Sequence, residues 1–311
     1  MFPVDTAIGK DGRMHTVSRA YVPATAQLRI TMYDIDSEYF GIYGGYGERV
    51  GEFRWPTGMA ADAEGNVYVS DEQNNRINIF SHEGDPIKHW GAAGTNEGQL
   101  MGPSGIAFDN EQNLVVADHL NNRIQKFSKD GTFIMSFGNS GEGDLRMPWG
   151  VCVGEDNSVY VADWANDRIA KYDSSGSFLR AFGTSGSGDG EFKNPSGVAV
   201  DGEGYIYVTD WGNERLVILD KDGNFIETLR GQATISKWAD EYFEGNYEEA
   251  EPRSRSNLEP DAGQFGGDPH EESAHIEKFF WGPTSVKIDD SGRIYVTESN
   301  RHRVQIYERT R

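Results

Sequence analysis

Five segments of the chain share one frame. "PTGMAADAEGNVYVSD" begins at Pro56, "PSGIAFDNEQNLVVAD" at Pro103 and "PWGVCVGEDNSVYVAD" at Pro148. "PSGVAVDGEGYIYVTD" begins at Pro195 and "PTSVKIDDSGRIYVTE" at Pro283. The steps are 47, 45, 47 and 88 residues. A weaker copy opens the chain with "PVDTAIGKDGRMHTVS" from Pro3 and resumes at Leu28 with "LRITMYDIDSEYFGIYG". In it Ser18 stands where the other copies have an acid. A recurring unit of this length is one supersecondary element that buries its apolar surface only against its neighbours.

Each unit contains four short runs with the alternation of half-buried strands, separated by Asp/Gly-rich turns. In the fifth copy they are Val198–Val200, Tyr205–Thr209, Leu216–Leu219 and Phe225–Leu229. Four strands per repeat make a propeller blade. The expected fold is all-β, a six-bladed β-propeller in a single domain over 1–311. Its blades fall at about 3–44, 56–91, 103–138, 148–183, 195–231 and 283–308, with a lid-like insertion at 232–280 between blades five and six. No fourth strand is visible for blade six, so its edge is expected to be three-stranded, filled by the insertion, or covered by a neighbour. An open edge invites association, and both monomer and homodimer stay open.

The stretch "DHLNNRIQKF" at 118–127, preceded by "PSGIA", resembles the NHL repeat. Linkers such as "FGTSGSGDGEFKNPSG" at 182–197 are similar to those of that family. The resemblance covers nearly all of the chain outside about 232–280. It implies the propeller fold and leaves the function open, since propellers host many activities.

The frame acids Asp71, Asp118, Asp163, Asp210 and Glu298 each lie five positions before an arginine: Arg76, Arg123, Arg168, Arg215 and Arg303. A feature of nearly every blade is what every blade needs to fold. These pairs are expected to satisfy corner backbone groups and each other. "GSGDGEF" is connection chemistry, since no Gly-Lys-Ser/Thr follows it and no helix opens after it.

Antiparallel connectivity puts the corner between second and third strands, and the blade-to-blade linker, on one face, called the top. The first free corner position there reads Glu72, His119, Trp164, Trp211 and Ser299 in blades two to six. Trp149 joins them from Pro-Trp-Gly. An aromatic and polar cluster at the channel mouth has the composition of an organic-ligand pocket. Trp149, Trp164 and Trp211 are its candidate walls, with Arg19, which opens the long blade-one corner, and His302, from "NRHR", as further ligand-binding candidates. His119 and Glu72 are the candidate acid–base pair, because imidazole titrates near neutrality. Trp55 and Trp281, beside other prolines, are expected to pack between blades.

The 232–280 segment holds 12 acids and 4 bases, a net −8 of the chain's −21. Its start has helical spacing at Ile235, Trp238, Tyr242 and Phe243, and "EPRSRSNLEPDAGQFGGDP" reads as loop. "HEESAH" sets His270 and His275 five apart, which separates the imidazoles on a helix, so no metal site is assigned.

Net charge −21 disfavours nucleic acid and anionic membranes as partners. The lone Cys152 excludes an intramolecular disulfide, and no basic-then-apolar leader opens the sequence. A cytoplasmic location is the simplest expectation. Two function classes remain. One is a small-molecule site on the top face, with lyase or hydrolase chemistry of the acid–base type. The other is a scaffold whose acidic insertion recognises a protein. Propeller lyases similar to peptidyl-hydroxyglycine amidating lyase hold zinc through His at Pro-x-Gly. Here the x residues are Val4, Thr57, Ser104, Trp149, Ser196 and Thr284, so that resemblance does not extend to zinc. Channel carbonyls can hold a divalent cation without a motif, so the cofactor stays unknown.

Overall fold

The computed structural model describes residues 2–9, 11–20 and 28–309. It is a six-bladed β-propeller. The inner strands are Phe2–Ile8, Pro56–Ala61, Pro103–Phe108, Pro148–Val153, Pro195–Val200 and Pro283–Ile288. Each packs against the next, and the sixth meets the first to close the ring. Blades one to five are four-stranded antiparallel sheets, and blade six has three strands ending at Arg303–Glu308. In blades two to six the inner strand begins on the repeat's proline, which suits a residue with no N–H to give to a ladder. Across the ladder that proline faces the frame acid, as in Pro195↔Asp210 and Pro283↔Glu298.

The frame acid ties the corner together. The N–H groups of Arg54 and Trp55 donate to Asp71, that of Lys193 to Asp210 and that of Trp281 to Glu298, at 2.7–3.0 Å. The corner asparagines donate as well, Asn121 to Asp118 at 2.8 Å and Asn213 to Asp210 at 2.7 Å. The arginine Nε completes the set in blades three to six: Arg123, Arg168, Arg215 and Arg303 donate over 2.6–2.8 Å. Their remaining N–H groups bind carbonyls of the preceding linker, as Arg215 does with Gly188 and Glu191. Blade two differs, because Arg76 binds the linker carbonyls of Glu48, Arg49 and Glu52 and meets His89 Nε2 at 3.4 Å, and leaves Asp71 to the backbone and Asn74.

Five linker side chains, Phe53, Leu100, Leu145, Phe192 and Phe280, are buried. Each fills one wedge between neighbouring blades. Phe53 packs with Val17 and Ile30 of blade one and Val67 and Val69 of blade two, and Phe280 with Leu216 of blade five and Val296 of blade six. At about 25 cal/mol per Å² of apolar surface, these wedges are the main stabilising term between blades.

The insertion carries three α-helices: α1 Lys237–Gly245, α2 Tyr247–Arg255 and α3 Pro269–His275. The helix expected from Ile235 to Phe243 is α1, started by the Ser236 side chain accepting from Ala239 N–H. The second half of α2, from Glu251, replaces expected loop. Pro252 sits inside α2, and Asp268 caps α3 ahead of Pro269 at its first turn. Arg301, where other corners have asparagine, turns its guanidinium to the carbonyls of Ser273, Ala274 and Ile276, at 2.7–3.3 Å. A cation thus caps the C-terminal end of α3. That is why blade six departs from the repeat.

Candidate functional site

At the top of the channel lies a cavity of about 280 Å³. Its walls include Arg19, Trp55, Trp149, Trp164, Trp211 and Asn300. Three indoles form a row, with Trp149 and Trp164 centroids 5.7 Å apart and Trp164 and Trp211 5.2 Å apart. Trp149 and Trp164 come from the Pro-x-Gly and corner positions of blade four and Trp211 from the corner of blade five, because these positions meet at the mouth. The corner residue stands at the start of a short 3-10 turn, Trp164–Asn166 or Trp211–Asn213, which lifts the indole above the sheet. Trp211 remains 38% exposed.

Arg19 closes the opposite side. Its guanidinium lies 4.7 Å from the Trp55 ring centroid and 3.8 Å from the Glu72 carboxylate, and its Nε donates to the Pro56 carbonyl at 2.7 Å. Trp55, expected to pack between blades, is instead a cavity wall. The rest of the long blade-one corner, residues 21–27, lies outside the described residues.

The acid–base candidates stand one layer back. His119 is only 4% exposed and meets Trp149 edge-on at 4.9 Å. Burial lowers its pKa, and the Glu72 charge partly opposes that. Its Nδ1 has no hydrogen-bond partner among the described residues. Neither His119 nor Glu72 lines the cavity among the described residues. His302 also stands elsewhere, edge-on to Phe2 at 5.3 Å on the seam between blades six and one. Its left-handed backbone, φ 56°, matches Asn75, Asn122, Asp167 and Glu214. Those residues each accept an N–H from the linker of the next blade, for example Glu214 from Gly282 at 2.6 Å. His302 holds the same latch position toward blade one. That position was illegible because it is defined by the following repeat.

Below the cavity the channel narrows to about 20 Å³, room for about one water. There Lys287 Nζ donates to the Met59 carbonyl at 3.0 Å and pairs with Asp5 at 3.2 Å. Among the described residues no three His, Cys, Asp or Glu side chains converge on a metal position. His270 and His275 point apart on α3: His270 bonds Glu214 at 2.8 Å, and His275 stacks on Phe265. Trp281 packs as expected, under the Arg301 guanidinium at 5.2 Å. No described helix is long and apolar enough to cross a membrane.

A ring of six blades around a central channel defines a six-bladed propeller with a top-face cavity. The family comparison agrees. A 6-bladed beta-propeller family matches residues 151–247, and the NHL repeat matches 53–80, 100–127 and 280–307. The chain belongs to the NHL-repeat six-bladed β-propellers. No curated protein matches it. Among solved structures, a catalytically inactive virginiamycin B lyase from Staphylococcus aureus, with quinupristin, aligns over 98% of this chain and 84% of its own at 13% identity, TM-score 0.57. A protein of unknown function from Bacteroides thetaiotaomicron aligns over 98% and 69% at 15% identity, TM-score 0.64. A chain of a nidogen/laminin complex aligns over 73% and 79% at 18% identity, TM-score 0.52. These likenesses concern the fold.

Proposed function

We propose that the chain binds a small, flat organic molecule in the cavity at the channel mouth. The observation that carries this is the row of Trp149, Trp164 and Trp211 facing Arg19 across a 280 Å³ space. The volume is at the small end of the range of about 300–1,000 Å³ usual for ligand pockets. The indole faces offer stacking area, and Arg19 and Asn300 offer donors to a carbonyl or carboxylate on the ligand rim. The narrow waist keeps the ligand at the mouth.

Lyase or hydrolase chemistry needs an acid or base within reach of the ligand. Glu72 is the nearer candidate, held beside Arg19. His119, behind Trp149, serves in this reading to position that indole. The same fold is found in a lyase and in a nidogen/laminin complex, so the fold does not choose between catalysis and protein binding.

The test is mass spectrometry of small molecules released from the purified protein, compared with Trp164→Ala and Arg19→Met. Loss of a stoichiometric compound from both variants supports the reading. Equal retention by both variants would sink it.

A second reading rests on the insertion, whose acids are largely exposed and which presents Tyr247 at 72% exposure. It would recognise a basic protein surface. Capture of a partner that is lost when 234–275 is deleted, with no compound in the cavity, would favour it.

A further inference from the structure

Five of the six wedges between blades are plugged by a buried linker side chain. The wedge between blades six and one is different. A chain of hydroxyls crosses it: Thr297 to Thr6 at 3.1 Å, Thr6 to Thr16 at 2.9 Å and Thr16 to the Tyr33 hydroxyl at 2.8 Å. Outside that chain opens a cleft of about 440 Å³, walled by Tyr33, Tyr39 and Trp238 and floored by Ser18 and Arg29. Trp238 of α1 meets Tyr33 edge-on at 5.7 Å.

Arg29 is the sixth frame arginine. The ladder pairs it with Ser18, as it pairs Arg123 with Asp118 and Arg215 with Asp210. The acid of this blade is therefore missing while its arginine remains. Among the described residues Arg29 makes no ion pair, its buried Nε has no hydrogen-bond partner, and no linker carbonyl reaches it. No acidic side chain lines the cleft among the described residues, although the chain holds 50 acids. Segment 21–27, "YVPATAQ", contains none either.

We propose that this cleft is a second binding site, for a small arylcarboxylic acid. The carboxylate takes the place the frame acid holds in the other blades and accepts from Arg29 and Ser18. The ring takes the place of the linker plug, between Tyr33, Tyr39 and Trp238. The anion is drawn to a cationic hollow in an otherwise acidic molecule. The site lies on the outer side of the seam and is independent of the cavity at the channel mouth.

Isothermal titration of the full chain with benzoate, phenylacetate and hydrocinnamate tests this, with phenylacetamide as the neutral isostere. At least one acid is expected to bind saturably, and the amide about tenfold or more weakly than phenylacetate, as the loss of a charged hydrogen bond requires. Ser18→Asp supplies the missing carboxylate from within, so it is expected to abolish binding while keeping or raising the thermal midpoint. Because the mouth cavity offers these acids a second place, each titration is repeated in the Trp164→Ala background, where seam binding is expected to persist and to be abolished by adding Ser18→Asp. No saturable binding of any acid at millimolar concentration, equal affinity for acid and amide, or undiminished binding in Ser18→Asp would each overturn the proposal.

Discussion

Lys287 Nζ stands 3.2 Å from Asp5 Oδ2 across the waist of the channel, joining blade six to blade one. The same carboxylate oxygen accepts the N–H of Met59 at 2.7 Å, and the same ammonium donates to the Met59 carbonyl. The channel thus carries a built-in cation where a carbonyl-lined channel could hold a metal ion. Adding Ca²⁺ or a chelator is expected to leave the thermal midpoint unchanged. Lys287→Met is expected to lower stability by about 1–3 kcal/mol, because Asp5 is left buried without its charged partner. A midpoint that rises with Ca²⁺ in the wild type would count against this arrangement.

The frame acids are structural, and blade five shows the cost of losing one. Asp210 accepts from Lys193 N, Asn213 Nδ2 and Arg215 Nε, all at 2.7 Å. Asp210→Ala strands a buried guanidinium and is expected to destabilise by about 3–5 kcal/mol in denaturant unfolding. Asp71→Ala is expected to cost less, since Arg76 does not depend on Asp71.

His15 sets an acid limit on stability. It is buried, bonds the Tyr43 hydroxyl at 2.9 Å, and has its pKa lowered to about 4, chiefly by burial. The unfolded chain takes up the proton near pH 6.5 and the folded chain does not until about pH 4. Stability from this group is therefore complete above about pH 6.5 and falls as pH drops toward 4, by up to about 3 kcal/mol. His15→Gln is expected to flatten the pH dependence in that window relative to wild type. An unchanged slope would show that the imidazole charges freely in the folded state.

Arg301 is the tie between insertion and blade six. Arg301→Ala is expected to speed amide exchange in α3 several-fold while the inner strands stay protected. Uniform loosening of blade six would instead mark Arg301 as part of the blade's own framework.

The propeller was legible because its unit repeats and its strands alternate. The row of Trp149, Trp164 and Trp211 was legible for the same reason, since fixed places in a repeat map to one face of the ring. What escaped is set by contacts between repeats. Arg29 was hidden because ten residues separate it from Ser18, where four separate Asp210 from Arg215. The burial of His119 comes from Trp149 of the next blade. Trp55 faces the cavity because Arg19, from the preceding blade, lies over it. Helix α2 was obscured by Pro252 within it.

The wedge crossed by Thr6, Thr16 and Thr297 gives the ring a mechanical asymmetry. Five joints are stiffened by apolar plugs, and among the described residues the sixth is held by hydroxyls, the Lys287–Asp5 pair and the Phe2–His302 contact. A closed hoop resists widening equally all round, whereas a slit hoop dilates at the slit. Opening of this ring is therefore expected first at that joint, as faster amide exchange in Phe2–Ile8 and Pro283–Ile288 than in the other inner strands.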